Sequence, residues 1–190
     1  MTRIIAGVAR GRRLSVPAGT GTRPTSDRAR EGLFATITAV HGPLRQAGVL
    51  DLYAGSGAVG LEALSRGAER ALFVESDPAA ARVIRANIAA VGLPGGRLIA
   101  GTVATALRRG PGGEPPFDVV VADPPYATGD GEVAAMLAAL REGGWLTPGA
   151  LLAVERASRS GPVLWPAGFS SDRSRRYGEA TFWYGLAAGG

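Results

Sequence analysis

The 190-residue sequence predicts a doubly wound α/β fold, a mostly parallel sheet closing in a C-terminal antiparallel hairpin and preceded by a basic N-terminal β-hairpin extension. Three observations predict it. From residue 48 onward, short apolar runs alternate with stretches of helical periodicity, the pattern of strands buried on both faces and joined by crossover helices. Residues 169–186 leave that rhythm and read as two strands joined around Gly178. The first 31 residues carry seven arginines against Asp27 and Glu31, which is the whole net charge of +5; the remainder is neutral.

Taken in order, RIIAGVARGRRLSV (3–16) reads as two short β-prone runs around Gly11, and the Gly-, Pro- and Thr-rich stretch 17–25 as a loop. Ser26 or Asp27 is expected to cap a helix reaching about His41, with Leu33, Phe34, Ile37 and Val40 on its apolar face. Core strands are expected at 49–54, 70–76, 97–101, 117–123 and 150–155, and helices at 58–67, 78–91, 103–109 and 131–142. GPGGEPP (110–116) reads as a surface loop. The expected division is an extension over 1–25 and a single α/β domain over 26–190.

Composition narrows the function classes. With no cysteine and one histidine, His41, disulfides, thiolate metal sites and serine–histidine chemistry drop out, and no metal is expected. No apolar run approaches the ~18 residues of a membrane span, and Arg10, Arg12 and Arg13 interrupt the stretch Ile4 to Ala9, so a cytoplasmic monomer is the expectation. All 21 basic residues are arginine, a bias that a skewed genome also produces; the clustering of charge is what points to a phosphate-binding arm. His41 reads as a helix-end residue, and Trp145, Trp165 and Trp183 as packing residues.

The first chemical motif is DLYAGSGAVG (51–60). Glycines after a strand permit a tight turn and a close backbone approach to a ligand at a helix N-terminus. Asp51, four residues before Gly55, selects among ligands: a carboxylate there suits an ammonium group, as S-adenosylmethionine carries, and repels a pyrophosphate. Its competing role is to cap the loop amides. Glu75 ends the second strand and is positioned to accept hydrogen bonds from two ribose hydroxyls, while Asp77 is expected to cap the helix beginning at Pro78.

The second motif is Asp123-Pro124-Pro125-Tyr126, at the end of the apolar strand FDVVVA. The exocyclic amine of a purine is a poor nucleophile because its lone pair is delocalised into the ring. Acceptors for both N–H groups, the Asp123 carboxylate and the Pro124 carbonyl, turn the nitrogen toward tetrahedral geometry. The prolines hold the loop rigid, and Tyr126 offers a face for an extruded base. Transfer then needs positioning more than acid–base power.

With RIIAGVARGRRLSVP, RPTSDRAREGLF (23–34), DLYAGSGAVGLEALSRGA (51–68), FVESD (73–77) and DPPY (123–126), nearly the whole chain resembles the bacterial 16S ribosomal RNA guanine-N2 methyltransferases. The resemblance implies a Rossmann-like methyltransferase domain over 26–190, S-adenosylmethionine as cofactor, and 16S ribosomal RNA as partner, within a partly or fully assembled small subunit. It implies that Arg23, Pro24 and Thr25 line the methionine end of the cofactor site. Asp51, Tyr53, Ala54, Gly55, Ser56, Gly57, Glu75, Ser76 and Asp123 would hold the rest, with Thr102 and Val103 near the adenine. Asp123, Pro124, Pro125 and Tyr126 would form the catalytic tetrapeptide, and Arg10, Arg12, Arg13, Arg28 and Arg30 would face RNA phosphates. The residues leave open an adenine-N6 methyltransferase, a glutamine-N5 protein methyltransferase (which resembles Asn-Pro-Pro-Tyr instead), an NAD oxidoreductase and a non-catalytic RNA-binding assembly factor.

Overall fold

Strands that are apolar on both faces stay out of water only if helices cover both sides of their sheet. The computed structural model, which describes residues 2–18 and 26–189, has this arrangement. In chain order the elements are β1 (Thr2–Arg3), β2 (Arg13–Leu14), α1 (Asp27–Val40), β3 (Gly48–Leu52), α2 (Ala58–Ser65), β4 (Arg70–Glu75), α3 (Pro78–Val91) and β5 (Gly96–Ala100), followed by α4 (Val103–Arg109), β6 (Phe117–Ala122), α5 (Asp130–Glu142), β7 (Leu146–Ala157), β8 (Phe169–Tyr177) and β9 (Ala180–Ala187). The main sheet runs β5-β4-β3-β6-β7-β9-β8. Its first five strands are parallel, and β9 and β8 join antiparallel, as the break in rhythm after residue 168 predicts. Strand order reverses between β3 and β6, so the crevice for a ligand opens at their carboxyl ends.

Alternate residues of each strand enter opposite cores. Val49, Phe73 and Val121 meet Leu33, Phe34, Leu61 and Ile84 from α1, α2 and α3. Leu50, Val74 and Val120 meet Leu107, Leu137 and Leu140 from α4 and α5, with Trp145 fully buried and its ring centroid 6.2 Å from that of Phe117. Trp165 and Trp183 are partly buried against the same cluster. Ser26 caps α1 by accepting from the Ala29 amide, and Asp77 caps α3 by accepting from the Ala79 amide. His41 stands at the C-terminal end of α1. Among the described residues no helix is long and apolar enough to cross a membrane.

Gly60 is where α2 presses onto the sheet: a Cβ there would lie 2.3 Å from Cε1 of Phe73, a fully buried ring. Gly60→Ala is therefore expected to destabilise the protein by about 1–3 kcal/mol, the usual cost of overpacking, read from the urea midpoint at unchanged slope. A wild-type midpoint would show that the ring yields without cost.

The N-terminal hairpin forms as expected, but it turns before Gly11. Its paired strands are two residues each, and the chain reverses between Gly7 and Arg10, with Gly11 on the return donating to the Ile4 carbonyl. The contacts with α2 and α3 set this turn. The Ile5 and Ala6 amides donate to Glu62 at 2.7 and 2.9 Å, and the Val8 and Ala9 amides to the carbonyl and hydroxyl of Ser65. On the return, Arg12 donates to the Ala90 and Val91 carbonyls, and Ser15 exchanges two hydrogen bonds with Asn87. The hairpin is thus a strap laid along two helices, with Ile4, Ala9 and Leu14 buried in the α1–α3 core.

Candidate functional site

Four strands carry an acid at or near the carboxyl edge of the sheet: Asp51 of β3, Glu75 of β4, Asp123 just after β6 and Glu155 of β7. The parallel register brings the last two level, because Ala122 lies opposite Val154. They border one cleft of about 440 Å³, which Tyr53, Ala54, Gly55, Ser56, Ser76, Pro124, Pro125 and Tyr126 also line. Most of the residues expected to hold a cofactor or act on a base thus converge on one place. Gly57 sits just beneath, in the left-handed conformation (φ +77°) that starts α2.

The loop is held by its acids. One Glu75 oxygen accepts from the Gly55 amide and the other from the Asp77 amide, both at 2.8 Å, which leaves each oxygen a lone pair facing the cleft. Asp51 is buried and accepts from the Gly60 amide at 2.9 Å, so it caps α2 as well as bordering the cleft. Burial pushes its carboxyl up to about 7; the Gly60 hydrogen bond works against this and Glu75 adds to it. Burial likewise raises Asp123, to about 8, with Glu155 and then Asp51 contributing like-charge repulsion. Tyr53 holds a left-handed backbone (φ 60°) at the loop entrance, a costly conformation for a non-glycine residue at a functional turn.

Among the described residues the lining carries five carboxylates (Asp77 is the fifth) against one guanidinium, that of Arg30, and that guanidinium is already bound to Asp27 at 3.0 Å. Such a cleft favours a ligand with cationic groups and repels a pyrophosphate. No group of three or more His, Asp or Glu among the described residues is gathered closely enough to hold a metal ion.

Several sequence expectations are relocated. Arg30 does not face solvent: its side chain is 1% exposed, hydrogen-bonded to Asp27, Thr2 and the Arg3 carbonyl, with Nε 3.8 Å from Glu62. The reason is helical phase, since Arg30 shares the inner face of α1 with Leu33, Phe34 and Ile37. Arg10, Arg12, Arg13 and Arg28 are exposed, but Arg12 is tied to the last carbonyls of α3. Those carbonyls lie about one helical turn beyond Asn87, which donates to the carbonyl of the cleft-lining Ser56, so the Arg12 guanidinium is committed to the end of α3 and does not line the cleft. Thr102 and Val103 are not among the cleft-lining residues: the Thr102 hydroxyl caps α4 and Val103 is buried beside Leu107. Arg23, Pro24 and Thr25 lie outside the described residues. Sequence reasoning missed Glu155, Val16, Pro17 and Phe182 in the lining. Glu155 had a readable signal, because ALLAVE ends in an acid just as the strands before Glu75 and Asp123 do.

A doubly wound sheet with a glycine loop after β3 and acids along its carboxyl edge is the methyltransferase fold. The family described as "Conserved hypothetical protein 95" matches residues 2–185, and the chain belongs to it. The chain is similar to the "Ribosomal RNA small subunit methyltransferase D" of Escherichia coli K12, with 38% identity over 95% of this chain and 87% of that one. It is similar also to the Haemophilus influenzae protein of the same name, with 34% identity over 95% and 91%. The solved Escherichia coli protein yhhF superposes with a TM-score of 0.84 at 34% identity, covering 100% and 99% of the two chains. A solved RNA methyltransferase from Salinibacter ruber, in complex with S-adenosyl-L-homocysteine, shares the fold with a TM-score of 0.63 at 17% identity over 87% and 94%.

Proposed function

We propose that this chain transfers a methyl group from S-adenosylmethionine to the exocyclic N2 amine of a guanine in 16S ribosomal RNA, acting as a monomer on a partly or fully assembled small subunit. The observation that carries the reading is the junction at Asp123: the Asp-Pro-Pro-Tyr loop forms one end of a carboxylate-lined cleft, with Tyr126 60% exposed at its rim. The names of the relatives at 34–38% identity support a small-subunit ribosomal RNA substrate.

The residues present fit the cofactor, whose ammonium and sulfonium groups answer the excess of carboxylates. When bound, it supplies an electrophilic methyl group. Asp51 would take its ammonium, and the remaining lone pairs of Glu75 its ribose hydroxyls. With Asp123 ionised beside the positive charge of the bound cofactor, its carboxylate and the Pro124 carbonyl would accept from the two N–H groups of the target amine, and Asp123 would then take the proton that the nitrogen sheds. Tyr126 would stack the base. Glu155, level with Asp123, supports guanine over adenine: guanine presents N1–H beside its amine, whereas adenine presents an acceptor there. Arg10, Arg13 and Arg28, all exposed, would meet RNA phosphates.

Methyl transfer from labelled S-adenosylmethionine to unmodified small subunits and to naked 16S RNA, with nucleoside analysis, tests this. N2-methylguanosine is the expected product. N6-methyladenosine would overturn the base assignment, and no transfer to either substrate would overturn the reading.

A cationic ligand also ties affinity to pH. Asp51 titrates near 7 before binding and is held ionised by an ammonium partner. Cofactor Kd should therefore tighten as pH rises from 6 to about 7.5, by up to ~10-fold per unit, with protons released on binding. Above that the ligand's own α-amine, with an ordinary value near 8, begins to lose its charge. Calorimetry in two buffers of different ionisation enthalpy checks this; equal heats in both would remove Asp51 from the ammonium site.

A further inference from the structure

An acidic cleft is a poor seat for a polyanion, so an RNA strand that delivers a base to Tyr126 needs cations close by. The arginines of the strap do not line the cleft, and Arg12 is already bound to the last carbonyls of α3. A second cavity supplies the cations. It holds about 290 Å³ between the end of β7 and the β8–β9 turn, and it is lined by Tyr126, Ala157, Ser158, Arg159, Arg176 and Glu179. Tyr126 is the one residue common to the two cavities, so it forms a wall between them. Burial, and then Glu155 and Asp123 on the cleft side, raise the Tyr126 hydroxyl's pKa; on the other side Glu179 adds to this and Arg159 works against it.

The cavity is built. The Ser158 amide donates to the Glu179 carbonyl, and its hydroxyl to the Gly178 carbonyl, which pins the end of β7 to the hairpin turn. Arg176 is anchored through Nε to the Gly178 carbonyl at 2.9 Å, which directs a fixed guanidinium and leaves its two terminal nitrogens for a ligand. Arg159 makes no ion pair among the described residues.

We propose that this cavity binds the RNA nucleotide next to the target base, with Arg159 and Arg176 on its phosphodiester and Glu179 on its ribose 2′-hydroxyl. The inference rests on the RNA reading above and adds the site that holds the strand. Two guanidiniums suit the two free oxygens of a phosphodiester. Glu179 disfavours a free phosphate and suits a donor beside the phosphate, which on RNA is the 2′-hydroxyl. A base stacked on Tyr126 would have its neighbour's backbone within reach on the other side of the ring.

The test uses the full chain on naked 16S RNA and on small subunits, comparing wild type with Arg159→Ala, Arg176→Ala and the double variant. Both positions of change are at the surface, and cofactor Kd serves as the folding control. The double variant should raise KM for RNA at least tenfold with cofactor Kd unchanged, and should make the slope of log K against log salt shallower by about 0.7, the loss of one neutralised phosphate on a single strand. Unchanged KM and slope with an active wild type would overturn the site. Loss on subunits with naked RNA unaffected would give the cavity to a ribosomal protein and overturn it too. An inactive wild type would instead sink the underlying RNA reading, and this inference with it.

Discussion

Asp123→Ala is expected to lower methyl transfer by on the order of 10³-fold while cofactor Kd changes less than about threefold, in line with the 10²–10⁴ that a positioned proton acceptor contributes. The side chain stands at the lip of the cleft and makes no hydrogen bond that holds the glycine loop, a task that falls to Glu75 and Asp51. Asp123→Asn should keep part of the activity, since its amide oxygen still accepts one N–H. The same variants should make the ligand-free protein more stable at pH 8. Asp123 has an ordinary unfolded value near 3.8 and a folded value raised to about 8 by burial, Glu155 and Asp51. The folded state therefore holds a proton that the unfolded state has lost, and this group's contribution to stability falls as pH rises from about 4 through 8. Removing the carboxylate removes that penalty. Single-turnover rates, cofactor titration and melting at pH 5 and pH 8 give the three readings. A variant that loses cofactor binding together with transfer would make Asp123 a binding residue.

Glu62→Ala is expected to be the most destabilising single change, by about 3–5 kcal/mol, the cost of breaking a buried ion pair from one side. Glu62 is fully buried and accepts from the Ile5 and Ala6 amides and from Arg66 at 2.8 Å, with the buried Arg30 at 3.8 Å. Its loss strands two strap amides and leaves Arg30 only Asp27 as a counter-charge. Burial already lowers the Arg30 pKa, and Glu62 is foremost among the groups opposing that. Chemical denaturation at pH 7 measures the loss. Hydrogen exchange at residues 5–9 should rise even where the global effect is partly absorbed, and unchanged protection there would show that the strap is held by its apolar contacts alone.

How much of this was legible depends on the range of the interactions. The apolar runs, the caps at Ser26 and Asp77, and the hairpin around Gly178 are local signals, and each matches an element within a few residues. The acids at strand ends were legible for the same reason. Residues at or beside the carboxyl end of a parallel strand lie next to the crevice, so Asp51, Glu75 and Asp123 could be placed from spacing alone, and Glu155 by the same rule.

The arginines were not legible, because charge along a chain carries no direction. Sequence counted seven in the first 31 residues and rightly found an excess. Only the tertiary structure sent Arg30 inward with the apolar face of α1, tied Arg12 to the far end of α3, and brought Arg159 and Arg176, more than 30 residues after Tyr126, to the rim beside it. The sequence by itself determined the sheet, its helices and the chemistry of the crevice, since periodicity, capping and strand-end residues act over a few positions. Which arginines stand near the reacting base was decided by long-range packing, where burial of an apolar face outweighs the preference of any one charge for water.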